Sequence, residues 1–160
     1  MKRLCLLLLL VVSSASASPV ADLALVGQGK MSWLFWDLYQ ARFYSENGRY
    51  QPGQYPQALS LRYARNIDKE DLLAATIEEW QRLGVNWKPE WPERLAQLWP
   101  SVRTNDELVL RVDENGASSF YFNWRLLGRI DDPAFAPAFL AIWLSPDSRD
   151  PALTRQLKGG

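Results

Sequence analysis

The sequence predicts an α+β fold in which helices cover one side of an antiparallel sheet. Strand-like segments follow one another along the chain, instead of alternating singly with helices as they do in a parallel sheet. Residues 134–157 carry large apolar side chains on one stripe, which must be buried against another layer. We therefore expect an open sheet covered by an aromatic-rich helix.

The C-terminal segment has the clearest helical pattern. Asp132 and Pro133 supply an N-cap and a first-turn proline, and Pro146 ends the helix. Asp150 and Pro151 begin a short second helix. The apolar residues of the first helix recur at i, i+4, i+7 and i+8: Phe135, Phe139, Ile142 and Trp143.

Residues 23–46 are predicted to form two strands. Gly27 and Gly29 flank Gln28, a pattern that indicates a bulge or a close backbone approach. Residues 33–44 are dense in aromatic side chains that favour strands. A helix is the alternative for this second segment, because short apolar runs discriminate poorly between the two.

The middle of the chain predicts one strand followed by two helices. Residues 58–64 alternate between apolar and polar side chains, as a half-buried strand does. Asp68 is placed to cap a helix that ends at Gly84. A second helix is expected over residues 90–98.

A hairpin and one more strand follow the two helices. The hairpin joins residues 107–112 to residues 118–124 around an Asp-Glu-Asn-Gly turn. Phe120, Phe122 and Trp124 are expected to share one face of the second strand. Residues 126–130 form the last predicted strand.

The N-terminus has the pattern of a signal peptide. Lys2 and Arg3 precede an apolar run over residues 4–12, and the small residues 15–17 form a cleavage site. We expect cleavage near Ala17 and a periplasmic or secreted domain of residues 18–160. An uncleaved anchor is the alternative, although the run is short for a membrane span.

Composition excludes several kinds of chemistry. The chain has no His, which removes Ser-His-Asp and Cys-His catalysis and every His-based metal site. Its single cysteine, Cys5, lies in the predicted signal peptide, so the mature chain has no disulfide. Removing Lys2 and Arg3 from a balanced 18 cations and 18 anions leaves a net charge of −2, which argues against a nucleic-acid partner. We expect no metal and no cofactor.

Several short segments stand in a distinctive order and spacing: residues 27–29, 36–44, 61–67, 99–102, 128–130 and 139–145. In these segments the sequence resembles the secreted bacterial branch of the chalcone isomerase-like family, over about residues 25–159. The resemblance implies a large open-faced antiparallel sheet covered by helices, with a ligand cleft between the two layers.

The family's isomerases use residues that this chain largely lacks. They place an arginine after the glycine pair, where this chain has Lys30 and Met31, and a threonine near the position of Tyr39. Their helical tyrosine and asparagine have no counterpart in residues 71–84. A guanidinium holds an oxyanion with two donors in a geometry that lysine does not copy. We therefore assign no catalytic residue.

Other members of the family bind fatty acids without catalysis, and this is the preferred hypothesis. A fatty acid or another small apolar ligand would lie between sheet and helices, and four residues are candidate ligand contacts: Lys30, Tyr39, Arg62 and Trp80. Each has a structural alternative. Lys30 suits a solvated surface, Arg62 suits an ion pair, and both Tyr39 and Trp80 suit a core.

Two other functions stay open on sequence grounds. An isomerase or lyase would act on a chalcone-like or enone substrate by electrostatic catalysis through Lys30, Tyr39 or Arg62. A periplasmic protein-binding module would use Trp87 and Trp91, beside two prolines, as an exposed patch. The sequence does not reveal the oligomeric state.

Overall fold

A computed structural model describes residues 16–160, and the predicted signal peptide lies almost wholly outside this range. Six strands form one antiparallel sheet, and four helices complete an α+β architecture, which confirms the predicted class. Within the described residues, no helix combines the length and apolar character needed to cross a bilayer. The elements are β1 (Ala24–Trp33), β2 (Trp36–Ser45), β3 (Gln57–Tyr63), α1 (Lys69–Leu83), α2 (Glu90–Leu98), β4 (Glu107–Val112), β5 (Ser118–Phe122), β6 (Arg125–Ile130), α3 (Phe135–Leu144) and α4 (Pro151–Leu157).

The strands pair in chain order, from β1 at one edge to β6 at the other. Residues opposite one another share a face, so one row across the sheet contains Phe43, Leu59, Leu110 and Phe120, all nearly inaccessible to water. This inner face packs against the helices. The outer face carries polar side chains such as Gln40; its positions on the edge strand β1 are exposed, whereas Ser60 and Val109 at its centre are buried.

An aromatic core joins the helices to the inner face. Phe135 contacts Trp80, Trp91 and Phe120 edge to face, and Phe139 continues the stack along α3. The indole nitrogen of Trp80 donates to the carbonyl oxygen of Ala138 at 2.9 Å. The described elements share one buried core, so residues 16–160 hold a hydrophobic core of their own.

Two helix ends agree with the sequence and two differ. Gly84 ends α1 with a φ of +68°, and the Asp150 carboxylate accepts from the backbone N–H of Leu153 at 2.9 Å. Asp68 precedes α1 but makes no side-chain cap. Asp132 accepts from the Ala134 N–H in a turn, and α3 begins only at Phe135.

The prediction for the end of β5 is wrong at Trp124. The strand ends at Phe122, because Asn123 and Trp124 form the turn to β6 with φ values of +47° and +68°. Trp124 is therefore 46% exposed instead of sharing the inner face, and its indole nitrogen donates to Glu107 at 2.9 Å.

Both predictions for the glycine pair, a bulge and a close approach of two backbones, are confirmed. The register shifts between Leu25 and Gly27, and helix α4 packs directly on β1. A Cβ on Gly27 would lie 1.8 Å from the backbone oxygen of Gln156. A Cβ on Gly29 would instead meet side-chain ends, 2.1 Å from Gln156 Oε1 and 2.7 Å from Leu153 Cδ1. Only a glycine at 27 allows this packing without moving the backbone of α4.

We therefore expect Gly27→Ala to lower the free energy of unfolding by about 3 kcal/mol, because the α4 backbone must move. Gly29→Ala is the matched control. It is expected to cost about 1 kcal/mol, because flexible side chains can yield. Urea unfolding followed by circular dichroism measures both, and equal losses would contradict the close-approach argument.

Candidate functional site

A cavity of about 370 Å³ lies between the inner face of the sheet and helices α1 and α3. Its volume falls within the usual range for small-molecule sites, about 300–1,000 Å³. Most of its wall is apolar, with contributions from strands β1 to β4 and from both helices: Met31, Leu61, Ile67, Leu72, Leu108, Phe139 and Ile142.

The cavity exists because α1 packs mainly against other helices. Its contacts are chiefly with α2 and α3, and Leu72 and Leu73 remain only partly buried. Thr76 uses its hydroxyl inside α1, donating to the carbonyl oxygen of Leu72 at 2.9 Å. The first half of α1 therefore covers the inner face without filling the space beneath it.

Two tyrosines on neighbouring strands supply the polar part of the cavity. Tyr39 on β2 and Tyr63 on β3 are register partners, with ring centroids 5.8 Å apart in an edge arrangement. The Tyr39 hydroxyl accepts from Trp143 Nε1 at 2.9 Å. Burial raises the pKa of both phenols far above the usual value near 10, so both remain protonated donors.

Several donors around the cavity have no acceptor among residues 16–160. Trp99 lines the cavity, and its indole nitrogen is buried without a hydrogen-bond partner in the described part of the chain. No described residue pairs with the Tyr63 hydroxyl, and the proton of Tyr39 is not used in its bond from Trp143. Buried polar groups in native proteins are nearly always paired. Trp99 Nε1 is closed to water, so the two phenols on the cavity wall are the donors offered to an acceptor atom there.

Charged groups lie along the cavity wall on α1 and the loop before α4. Glu79 bonds to Arg82 at 2.9 Å and to Arg149 at 2.6 Å, and Arg149 also reaches Glu78 at 3.3 Å. Burial by itself raises the pKa of Glu79, but hydrogen bonds and charge from the two arginines outweigh it and hold the pKa below its usual value. This ion cluster links α1 to the segment between α3 and α4, because Arg149 of that segment pairs with two glutamates of the helix.

Of the four predicted contact residues, only Tyr39 lines the cavity. Lys30 and Arg62 lie on the outer face, because they are in register with Gln40. Lys30 Nζ lies 3.5 Å from Asp37, and Arg62 lies 3.8 Å from Glu107. The sheet separates both cations from the cavity, so the structure places them where they do not contact a ligand held there.

Trp80 belongs to the aromatic core instead of the cavity wall. Its side chain is fully buried and its indole nitrogen is used by Ala138. The suggested protein-binding patch is also absent, because Trp91 is 2% exposed and Trp87 is half-buried against Trp80. Both tryptophans pack against Trp80, so they do not form an exposed patch.

The sequence did not identify Tyr63, Trp99 or Arg149 as site residues. Tyr63 follows the alternation of β3, which places it with Leu61 on the inner face, so this signal was present. Trp99 and Arg149 follow helices in irregular segments, where no periodicity indicates which way a side chain points.

Acidification tests the ion cluster. A carboxylate whose pKa is depressed in the folded state stabilises the fold above its unfolded pKa and loses this effect as pH falls. We expect Glu79→Gln to lower the melting temperature at pH 7, and the difference from wild type to shrink as the pH falls below about 4.5.

Glu78→Gln is the matched control, because Glu78 is 70% exposed and contacts only Arg149 in the cluster. Its effect at pH 7 is expected to be smaller. Thermal melts across the acid range measure both variants. A Glu79→Gln deficit that persists unchanged into strong acid would contradict the assigned role.

Comparison with known proteins bears on both fold and site. A family described as chalcone isomerase-like matches residues 13–159. An uncharacterized protein of Haemophilus influenzae is 29% identical over 147 residues, which cover 90% of this chain and 72% of that protein. The crystal structure of an Arabidopsis thaliana fatty-acid binding protein superposes with a TM-score of 0.70 at 12% identity, covering 89% of this chain and 90% of the other. At that identity the likeness shows the fold alone.

Proposed function

This chain belongs to the chalcone isomerase-like family, and we propose that it binds one small apolar ligand, such as a fatty acid, without transforming it. The observation that carries the proposal is the apolar cavity of about 370 Å³ with the protonated hydroxyls of Tyr39 and Tyr63 on its wall. The name of the Arabidopsis structural neighbour, a fatty-acid binding protein, supports the same class of ligand.

The walls favour an aliphatic chain. Leu61, Leu72 and Ile142 line the cavity together with aromatic side chains that supply no charge. Each methylene moved from water into such surroundings contributes about 0.8 kcal/mol. A saturated chain therefore gains affinity with every carbon until the cavity is full.

The donors favour a ligand that ends in an acceptor oxygen. The protons of Tyr39 and Tyr63 are both free to donate to a ligand. A carboxylate accepts several hydrogen bonds, and bonds to an ionised acceptor are about twice as strong as neutral ones. A fatty acid thus combines an aliphatic chain that suits the apolar wall with a carboxylate that accepts from the donors.

Support for the non-catalytic part of the proposal comes from charge. Among residues 16–160, Arg149 is the only cation lining the cavity, and it is already held by Glu78 and Glu79. The buried phenols remain protonated and provide no base. The isomerase alternative predicts cyclisation of a chalcone above the solvent rate, lost in Tyr39→Phe. We expect no such rate.

We also propose export, with cleavage near Ala17 and a periplasmic or secreted mature chain. The charged, apolar and small-residue segments of the N-terminus support this proposal. Expression of the full chain in a Gram-negative bacterium, followed by fractionation and intact-mass measurement, tests it. An uncleaved mass in the cytoplasmic fraction would overturn it.

A series of saturated fatty acids tests the ligand class. We expect affinity to rise about fourfold per added methylene and then level off as the chain fills the cavity. Isothermal titration calorimetry measures the series. No binding along the whole series would remove fatty acids as the ligand.

A substitution that fills the cavity tests whether the ligand binds there. Ala75 is an exposed residue of α1 that lines the cavity, so Ala75→Trp is expected to fill the space and abolish binding without unfolding α1. Ala74→Trp is the control, because Ala74 is also exposed but does not line the cavity. Equal binding by both variants would place the ligand elsewhere.

Removing one donor tests the polar end. Tyr63→Phe is expected to weaken fatty-acid binding about tenfold, because a hydrogen bond to a charged group contributes about 1.5 kcal/mol. Binding of an alkane of the same length should not change. Tyr50→Phe is the control, since Tyr50 lies outside the cavity wall. An unchanged fatty-acid affinity in Tyr63→Phe would contradict this assignment.

A further inference from the structure

Exposed apolar side chains gather at one end of the sheet. Seven large hydrophobic residues are exposed in the described chain, and six of them lie in or beside the β1–β2 and β5–β6 turns. The antiparallel register brings these two turns to the same end. Only Leu25 lies towards the other end. The six are Trp33, Leu34, Phe35, Trp36, Trp124 and Leu126.

The β1–β2 turn is the most apolar point of this end. Phe35 is 98% exposed and Leu34 is 78% exposed, and the tryptophans on either side of them are each more than half exposed. Four consecutive exposed apolar residues are unusual on a protein surface that faces only water, and they indicate an interaction site.

The backbone of both turns strengthens this inference. Leu34 has a φ of +56° and Trp124 a φ of +68°, in the left-handed region where glycine and asparagine are favoured. A leucine or a tryptophan at such a position costs turn stability, and exposure denies it the gain from burial. The fold therefore gains little from the side chain of Leu34, whereas Trp124 recovers part of its cost through the hydrogen bond to Glu107.

Charge and shape favour a lipid surface as the partner. Trp is the side chain typical of membrane–water interfaces. Arg65 lies 4.6 Å over the ring of Trp36, and Arg125 follows the second turn. Both are exposed and neither has an acidic partner within residues 16–160. Unpaired cations beside apolar tips suit anionic headgroups, whereas two narrow turn tips do not offer the broad face that a stable protein interface needs.

The docking end is continuous with the cavity. Trp33 is 55% exposed at the turn and also lines the cavity, together with Met31 two residues before it. An apolar path thus leads from the turn to the space between sheet and helices. Fatty acids concentrate in membranes, so a carrier benefits from meeting its ligand there.

We propose that this end of the sheet docks on a phospholipid bilayer, with the β1–β2 turn inserted among the headgroups, and that acyl ligands pass between bilayer and cavity at this end. The transfer step rests on the proposed function. The docking step does not, because it stands on the exposed turns and their cations.

Vesicle binding by residues 16–160 tests the docking. The double variant Leu34→Asn with Phe35→Ser removes the apolar tip, and asparagine suits the left-handed turn position. We expect wild type to cosediment with phosphatidylcholine vesicles, and more strongly when phosphatidylglycerol is included. The double variant should lose at least tenfold in vesicle affinity while its melting temperature is unchanged or raised.

Leu25→Ser is the matched control, since Leu25 is exposed on the same sheet but away from the two turns. It should bind vesicles like wild type. Failure of wild type to bind either vesicle, or equal binding by the double variant, overturns the docking proposal. Binding indifferent to phosphatidylglycerol removes the role of Arg65 and Arg125.

A solution measurement separates this result from the proposed function. The double variant should bind a soluble short-chain fatty acid as wild type does, because residues 34 and 35 do not line the cavity. Vesicle binding without fatty-acid binding leaves docking intact and removes the carrier. Fatty-acid binding without vesicle binding leaves the carrier proposal intact and removes docking. When both hold, ligand transfer from vesicles should slow in the double variant.

Discussion

The hydrogen bond from Trp143 to Tyr39 joins the helical layer to the sheet at the cavity. Trp143 ends an aromatic row along α3 that begins at Phe135, and this row anchors the helix on the inner face. Because α3 is anchored, α1 can pack against it and against α2 while leaving space above β2 and β3. The cavity is therefore a consequence of which layer α1 packs on.

The same arrangement limits the chemistry of the site. A polar group placed between two packed layers is costly unless it finds a partner. Tyr39 finds one in Trp143, whereas Trp99 and Tyr63 lack an acceptor within the described chain. The charged groups that line the cavity are the ion cluster around Glu79 and, nearer the start of α1, Asp71. A ligand with an aliphatic chain and one acceptor group fits these conditions.

Sequence periodicity predicted the strands, the helices and their one-sided packing. Each element buries one face, so its apolar residues recur with the period of a strand or of a helix. The glycine pair around Gln28 predicted a bulge or a close backbone approach, and the backbone of Gln156 explains the approach at Gly27. Secretion and cleavage near Ala17 remain predictions.

The candidate site was harder to predict, and β1 shows why. A strand shifted by one residue exchanges its two faces. The irregularity between Leu25 and Gly27 fixes which residues face inwards, so Met31 pairs with Tyr39 on the inner face and Lys30 pairs with Gln40 outside. The glycine pair indicated a bulge, but it did not indicate which of the following residues would face inwards. Trp124 was misplaced for a related reason, since its turn depends on a left-handed backbone that bulky residues rarely adopt.

The central claim is that an acyl chain occupies the space between the sheet and helices α1 and α3. Isotope-filtered NMR of the protein with a ¹³C-labelled fatty acid tests this claim directly, through contacts between the chain and protein methyl groups. The account predicts contacts to Leu61, Leu72 and Ile142, which line the cavity, and none to Leu25. Contacts confined to the exposed β1–β2 turn, or no contacts with any methyl group, would contradict it.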